Sequence, residues 1–359
     1  MTASGPEERM RLLVVDDSVV FRMFLRKCLS GLDEVEVVGA ARDGMDAMDK
    51  VAELAPDVIT LDMNMPRMNG METLAALKRD HPGVKVIIVA AETEDDAGRT
   101  VQALKAGAFD FILKPGAGEQ HPAEAIRSAL VPRLRALRDS RHKAAAGERR
   151  TQEPRRRPGH ASATRMDILA IGASTGGPNA LDVVMRGLPA ELPVPVTVVQ
   201  HMPPLFIRSL AQRINDASPL ACKVAEDGEQ LLPGKAYFAP GDWHLEVVAG
   251  DHGLCARLSD APPMHFCRPA VDAMFHSLTR LAPRFHTLAV VLTGMGKDGA
   301  AGALAVAEQS GLVIAQDEAT STVWGMPGAT VGLGAAHHVL PLRNIPGEIL
   351  AVLKTGPRT

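Results

Sequence analysis

Short β-branched runs alternating with helix-patterned segments constrain this chain more than any other feature. Five such runs open it: RLLVVDD (11–17), VEVVGAA (35–41), DVITLDM (57–63), VKVIIVAA (84–91) and DFILKP (110–115). Between them, SVVFRMFLRKCLSGL, DGMDAMDKVAEL, METLAALKRD and DDAGRTVQALKAG place apolar residues at helical spacing. Such an alternation predicts a parallel sheet covered on both faces by helices.

The pattern stops at residues 133–165, RLRALRDSRHKAAAGERRTQEPRRRPGHASATR, where apolar residues fade and Arg, Pro and Ala take over. A stretch like this buries too little apolar surface to offset its ordering entropy. It reads as a helix end, to about residue 146, followed by a flexible linker. The alternation then resumes. MDILAIGAS (166–174), VPVTVVQHM (194–202), KAYFAP (235–240), HTLAVVLTG (286–294) and GLVIAQD (311–317) read as strands, and GGPNALDVVMRGL, IRSLAQRINDAS, PAVDAMFHSLTRLA and KDGAAGALAVAEQSG as helices. A polar, hairpin-like insert falls at 244–260. The expected fold class is α/β, with two doubly wound parallel-sheet domains joined by a basic linker. A chain of 359 residues is long enough to give each domain its own core.

Charge follows the same division. Residues 1–120 carry 14 basic and 21 acidic side chains, 121–165 carry 12 and 4, and 166–359 carry 13 and 17. The basic middle reads either as a nucleic-acid patch or as a solvated hinge. No DNA-binding helix pattern accompanies it, and only 3% of residues are aromatic, so nucleic acid is not an expected partner. No apolar run reaches membrane-spanning length, so no membrane insertion is expected, and the start MTASGPEERM is not a secretory signal. Cys28, Cys222, Cys255 and Cys267 form no CxxC pair, which fits reduced thiols in the cytoplasm. His244, His252, Cys255, His265 and Cys267 lie close in sequence, but without the spacing of a closed zinc site.

Two groups of strand-end residues carry chemistry, because ligands in open α/β sheets bind at the carboxyl ends of strands. In the first half, Asp16, Asp17 and Asp62 occupy such ends, and Lys114 precedes Pro115 at a fourth. Adjacent carboxylates repel unless a cation joins them. Hard oxygen donors suit Mg²⁺, a lysine suits a phosphoryl group, and a carboxylate can itself be a nucleophile. The bland alternative is a solvated acidic rim.

In the second half, Gly172-Ala173-Ser174-Thr175-Gly176 is a G-x-S-x-G pattern between a strand and a helix start, the setting of a nucleophile elbow. Its bland alternative is a glycine-rich turn. His201 ends the next strand and is the best candidate base for Ser174, although a lone histidine is more often structural. Asp298, in TGMGKDG after a further strand, is the candidate carboxylate to orient the imidazole, or else a helix N-cap before AAGALAVAEQ.

The DD, LDMNMPRMNG and KP set makes the first half resemble the receiver domain of two-component response regulators. GASTGG, QHMP and LTGMGKDG make the second resemble the catalytic domain of the chemotaxis protein-glutamate methylesterases. The joint resemblance implies a flavodoxin-like receiver over 1–125, a helix end and flexible basic linker over 126–164, and a methylesterase domain over 165–355. It implies Asp62 as phospho-acceptor, Lys114 as phosphoryl contact, and Mg²⁺ held by Asp16, Asp17 and Asp62. Phe111 matches the aromatic switch position. Ala90 and Ala91 stand where receivers usually carry Ser or Thr, and Thr93 is the nearest hydroxyl.

For the second half the resemblance implies the triad Ser174, His201 and Asp298, with Thr175 and the Met295 N–H near the oxyanion and no cofactor for the ester chemistry. The implied reaction removes methyl esters from glutamates, and deamidates glutamines, of methyl-accepting chemoreceptor cytoplasmic domains. A cognate sensor histidine kinase is the implied upstream partner. Packing of the unphosphorylated receiver over the catalytic cleft is the implied control. A receiver-based signalling adaptor with a catalytically weak output domain is the competing reading.

Overall fold

The computed structural model describes residues 9–116, 118–145 and 165–354; the linker expected at 146–164 lies outside them. The chain divides into two compact units, 1–148 and 149–359.

In the first unit, β1 (Met10–Val15), β2 (Val35–Ala41), β3 (Val58–Asp62), β4 (Lys85–Ala90) and β5 (Asp110–Leu113) form one parallel sheet in the order β2-β1-β3-β4-β5. Strands β1, β3, β4 and β5 are almost wholly buried and read as near-continuous apolar runs, whereas the edge strand β2 is only partly covered. Four helices begin on side-chain caps at Ser18, Asp43, Asn69 and Thr93, whose oxygens accept a backbone N–H from the first turn. A fifth, Pro122–Ala145, buries Ile126, Leu130, Leu134 and Leu137 at helical spacing. The strand order reverses between β1 and β3, which opens a crevice at their carboxyl ends.

Among its described residues the second unit holds nine strands: β6 (Ile168–Ala173), β7 (Val196–Gln200), β8 (Ala221–Val224), β9 (Lys235–Phe238), β10 (His244–Gly250), β11 (Gly253–Ser259), β12 (Thr287–Val291), β13 (Leu312–Gln316) and β14 (His338–Leu340). Seven form a parallel sheet in the order β14-β13-β12-β6-β7-β9-β8. The insert is an antiparallel ribbon of β10 and β11, whose Leu245, Val247, Leu254 and Ala256 join the core beside Met274 and Phe275. Strands β8 and β14 escape sequence pattern because they are the two edges of the sheet, short and only partly buried. Here the order reverses at β6, with β7 on one side and β12 on the other.

Candidate active site and acidic pocket

Asp16 and Asp17 follow β1, Asp62 closes β3 and Lys114 follows β5, so the first crevice gathers all four. The Lys114 ammonium lies 2.9 Å from Asp16 Oδ2 and 2.8 Å from Asp62 Oδ2. One oxygen each of Asp16, Asp17 and Asp62 lies within 4.8 Å of the others. Three carboxylates against one ammonium leave a net negative, oxygen-only donor set, which fits a hard divalent cation. Burial, reinforced by the neighbouring Asp16 charge, holds the Asp62 carboxyl above its usual range despite Lys114. Burial alone would lower the Lys114 pKa, but its bonds to Asp16 and Asp62 outweigh this and raise it. The ammonium also sits 4.9 Å from the centre of the Phe21 ring. Phe111 is buried. Thr93 caps the helix Glu94–Lys105, its hydroxyl oxygen accepting the Asp96 N–H, and the Ala90 carbonyl accepts the Lys114 N–H.

In the second unit, Ser174 follows β6, His201 follows β7 and Asp298 lies in the loop after β12. The elbow needs glycine where it turns. Gly176 adopts φ 79°, and a Cβ there would meet the Thr322 side chain at 2.4 Å. The Ser174 N–H donates to the Thr293 carbonyl, and Gln200 Nε2 donates to the Ser174 carbonyl at 3.0 Å. Gly294 presses so closely that a Cβ on it would lie 2.9 Å from Ser174 Cβ and 2.2 Å from Met326 Sδ. Its carbonyl in turn accepts the N–H groups of Gly325 and Met326, so the WGMPG turn buttresses this loop. Gln200 and Gly294, to which the sequence patterns assign no role of their own, and the WGMPG turn, which they mark as a tight loop without chemistry, are positioning elements.

His201 Nε2 lies 2.8 Å from Asp298 Oδ2, and its Nδ1 faces Cys267 Sγ at 3.7 Å. Asp298 is buried, and its carboxylate also accepts the N–H groups of Val271 and Asp272 at 2.7 and 2.9 Å. Those donors open the helix Val271–Thr279, where the helix dipole favours an anion. The expected capping role is thus moved: the helix Ala300–Glu308 starts on Gly299, and Asp298 serves the other helix. Burial would raise the Asp298 pKa, but His201 and these N–H donors lower it. Burial would likewise lower the His201 pKa, yet Asp298 and Cys267 together raise it to about 10. Among the described residues the Ser174 hydroxyl makes no hydrogen bond, and neither does the Met295 N–H. Thr175 is buried, and its carbonyl accepts the Thr293 hydroxyl.

His244 is structural. Its Nδ1 accepts the Ala270 N–H, and its Nε2 lies 3.2 Å from the Pro262 carbonyl. His265, Asp272 and Asp298 approach one another, but Asp272 and Asp298 are already engaged by backbone N–H donors.

A sheet of order 2-1-3-4-5 with an acidic crevice, followed by an α/β unit with a hydroxyl, an imidazole and a carboxylate at one sheet edge, defines a receiver-linked hydrolase class. The comparisons agree. The family described as "Response regulator receiver domain" matches residues 12–125, and "CheB methylesterase" matches 169–349. A protein-glutamate methylesterase/protein-glutamine glutaminase of Nocardioides sp. is 45% identical over 95% of this chain and 94% of its own length. The one from Thermotoga maritima is 39% identical over 96% of this chain and 98% of its own. The crystal structure of the Thermotoga maritima CheB methylesterase catalytic domain superposes with a TM-score of 0.51 at 43% identity, covering 53% of this chain and 100% of that one. The chain belongs to the CheB methylesterase family. No helix among the described residues is long and apolar enough to cross a membrane.

Proposed function

We propose that this protein removes methyl esters from glutamate side chains of chemoreceptor cytoplasmic domains, and deamidates selected glutamines, under control of phosphorylation at Asp62. The observation that carries the reading is the His201–Asp298 pair at 2.8 Å, beside a Ser174 loop whose peptide is clamped by Gln200 and Thr293.

His201, once neutral, accepts the Ser174 proton as the hydroxyl oxygen attacks the ester carbonyl. Asp298 holds the ring and stabilises the imidazolium that forms. The Met295 N–H, with the chain around Thr175, supplies donors for the oxyanion. The imidazolium returns its proton to the departing methoxide, so methanol leaves and an acyl-enzyme remains. Water, deprotonated by the same imidazole, then releases glutamate. With a glutamine substrate the departing group is ammonia. None of these steps calls on a cofactor.

In the first unit Asp62 accepts the phosphoryl group, and Lys114 holds its oxygens. Mg²⁺ held by Asp16, Asp17 and Asp62 would neutralise phosphoryl charge during transfer. The upstream donor is a sensor histidine kinase, and the place of action is the cytoplasm.

Methanol release from methylated receptor membranes, with and without acetyl phosphate, tests this reading. Full activity in Ser174→Ala would eliminate the mechanism, and absent release by the wild type would favour the adaptor.

A further inference from the structure

His201 gives one ring nitrogen to Asp298 and must offer the other to Ser174. Burial opposes ionisation of Asp298, yet His201 and the Val271 and Asp272 N–H groups hold its carboxyl below the usual range, so it can only accept a hydrogen bond. The neutral ring therefore carries its proton on Nε2, and the lone pair that takes up a proton is on Nδ1. That nitrogen faces the half-buried Cys267, whose Sγ lies 3.7 Å away, within reach of a sulfur hydrogen bond. The Ser174 hydroxyl makes no hydrogen bond among the described residues.

Cys267 is placed by the same stretch of chain that fixes Asp298. Its backbone closes a tight turn with Met264 through paired hydrogen bonds of 3.1 and 2.8 Å. Within that turn, His265 Nε2 lies 2.8 Å from Asp272 Oδ2, and Asp272 Oδ1 accepts the Gly302 N–H at 2.7 Å. Further along, the Val271 and Asp272 N–H groups grip the Asp298 carboxylate. Residues 264–272 thus hold the imidazole at both ends, at Nδ1 through a thiol and at Nε2 through Asp298.

A ring tied at Nε2 alone is free to swing about that one bond. A thiol is a weak hydrogen-bond donor, so at Nδ1 it steadies the ring and gives way to a serine hydroxyl at little cost. We infer that Cys267 is a positioning residue of the esterase, whose thiol keeps the Nδ1 edge of His201 aligned until the Ser174 hydroxyl takes its place. This rests on the function proposed above. Cys267 acts through His201 and forms no bond to the ester, so it bears on kcat and leaves KM alone. Among the described residues, Asp298 and Cys267 are the ionisable groups that meet the ring.

The test compares the full-length wild type with Cys267→Ala and Cys267→Val on methylated receptor membranes, across pH. In Cys267→Ala, kcat for methanol release falls about tenfold, the worth of one hydrogen bond, while KM stays within about twofold. The pH inflection moves down, because one of the two groups that raise the His201 pKa is gone. Cys267→Val refills the space without a donor and behaves as Cys267→Ala does. NMR of labelled histidine, with His201 identified by its loss in His201→Gln, reads the same downward shift without substrate. Unchanged kcat and inflection in Cys267→Ala overturn the inference. Wild-type behaviour in Cys267→Val does so too, since the thiol would then only fill space, and so does a raised KM at constant kcat, which would make Cys267 a substrate contact. Failure of the wild type to release methanol overturns instead the function on which the inference rests.

Discussion

His201 meets Asp298 through Nε2 at 2.8 Å while its Nδ1 faces Cys267 at 3.7 Å. The ring is therefore held between a carboxylate and a thiol, and among the described residues the Ser174 hydroxyl makes no hydrogen bond to either ring nitrogen. The carboxylate that grips the ring also anchors the start of the helix Val271–Thr279. Imidazole orientation and local folding share one side chain.

That sharing separates two substitutions. Ser174→Ala lowers the rate by about 10⁴-fold or more and leaves the thermal midpoint unchanged, because its hydroxyl makes no hydrogen bond among the described residues. Asp298→Ala lowers the rate comparably and also destabilises by about 1 kcal/mol or more, since it strips two buried N–H groups of their acceptor. Methanol release and thermal unfolding on both variants check this.

The pairing also moves the pH profile. An isolated imidazole would switch near 6.5, but His201 is raised to about 10. Only the neutral ring accepts the Ser174 proton, so kcat/KM of the wild type keeps rising through pH 7 and 8. Cys267→Ala removes one of the groups that raise it and moves the inflection to lower pH. The stability linkage has the opposite slope. The pair's contribution is complete below about pH 6.5, where the unfolded histidine is also protonated. It is lost as pH climbs through the folded value of about 10. His201→Gln flattens this dependence.

Gly294 is fixed by its neighbours. Alanine there would push a methyl group to 2.9 Å from Ser174 Cβ and 2.2 Å from Met326 Sδ. The expected result of Gly294→Ala is a displaced Ser174 loop, an activity loss of about 10²-fold from ångström-scale misplacement, and a lower thermal midpoint. Normal kinetics in a folded variant would show that the loop tolerates the shift.

In the first unit, acetyl phosphate labels the wild-type chain only with Mg²⁺ present, and chelation or Asp62→Asn abolishes labelling. Ala90→Thr restores a hydroxyl at the end of β4, where the native chain has none and Thr93 is committed to a helix cap. The ratio of phosphorylated to unphosphorylated activity is expected to rise in that variant. No change would mean that switching does not pass through this position.

Much of this was written in the sequence. Ile168–Ala173 and Val196–Gln200 are near-continuous apolar runs because parallel strands are buried on both faces, and Ser18 and Asp43 announce their helices by local capping chemistry. Strand ends could then be found by eye, and with them Asp16, Asp17, Asp62, Lys114, Ser174, His201 and Asp298. Such signals are short-range, so one sequence suffices to carry them.

What tertiary structure decided are the relations between segments distant in the chain. Asp298 caps a helix 27 residues earlier and not the one it precedes. Gln200 clamps Ser174 across 26 residues, and Cys267 reaches His201 across 66. No local pattern encodes these pairings, because they arise from strand order and close packing, which bring the loops together only when the whole sheet has formed.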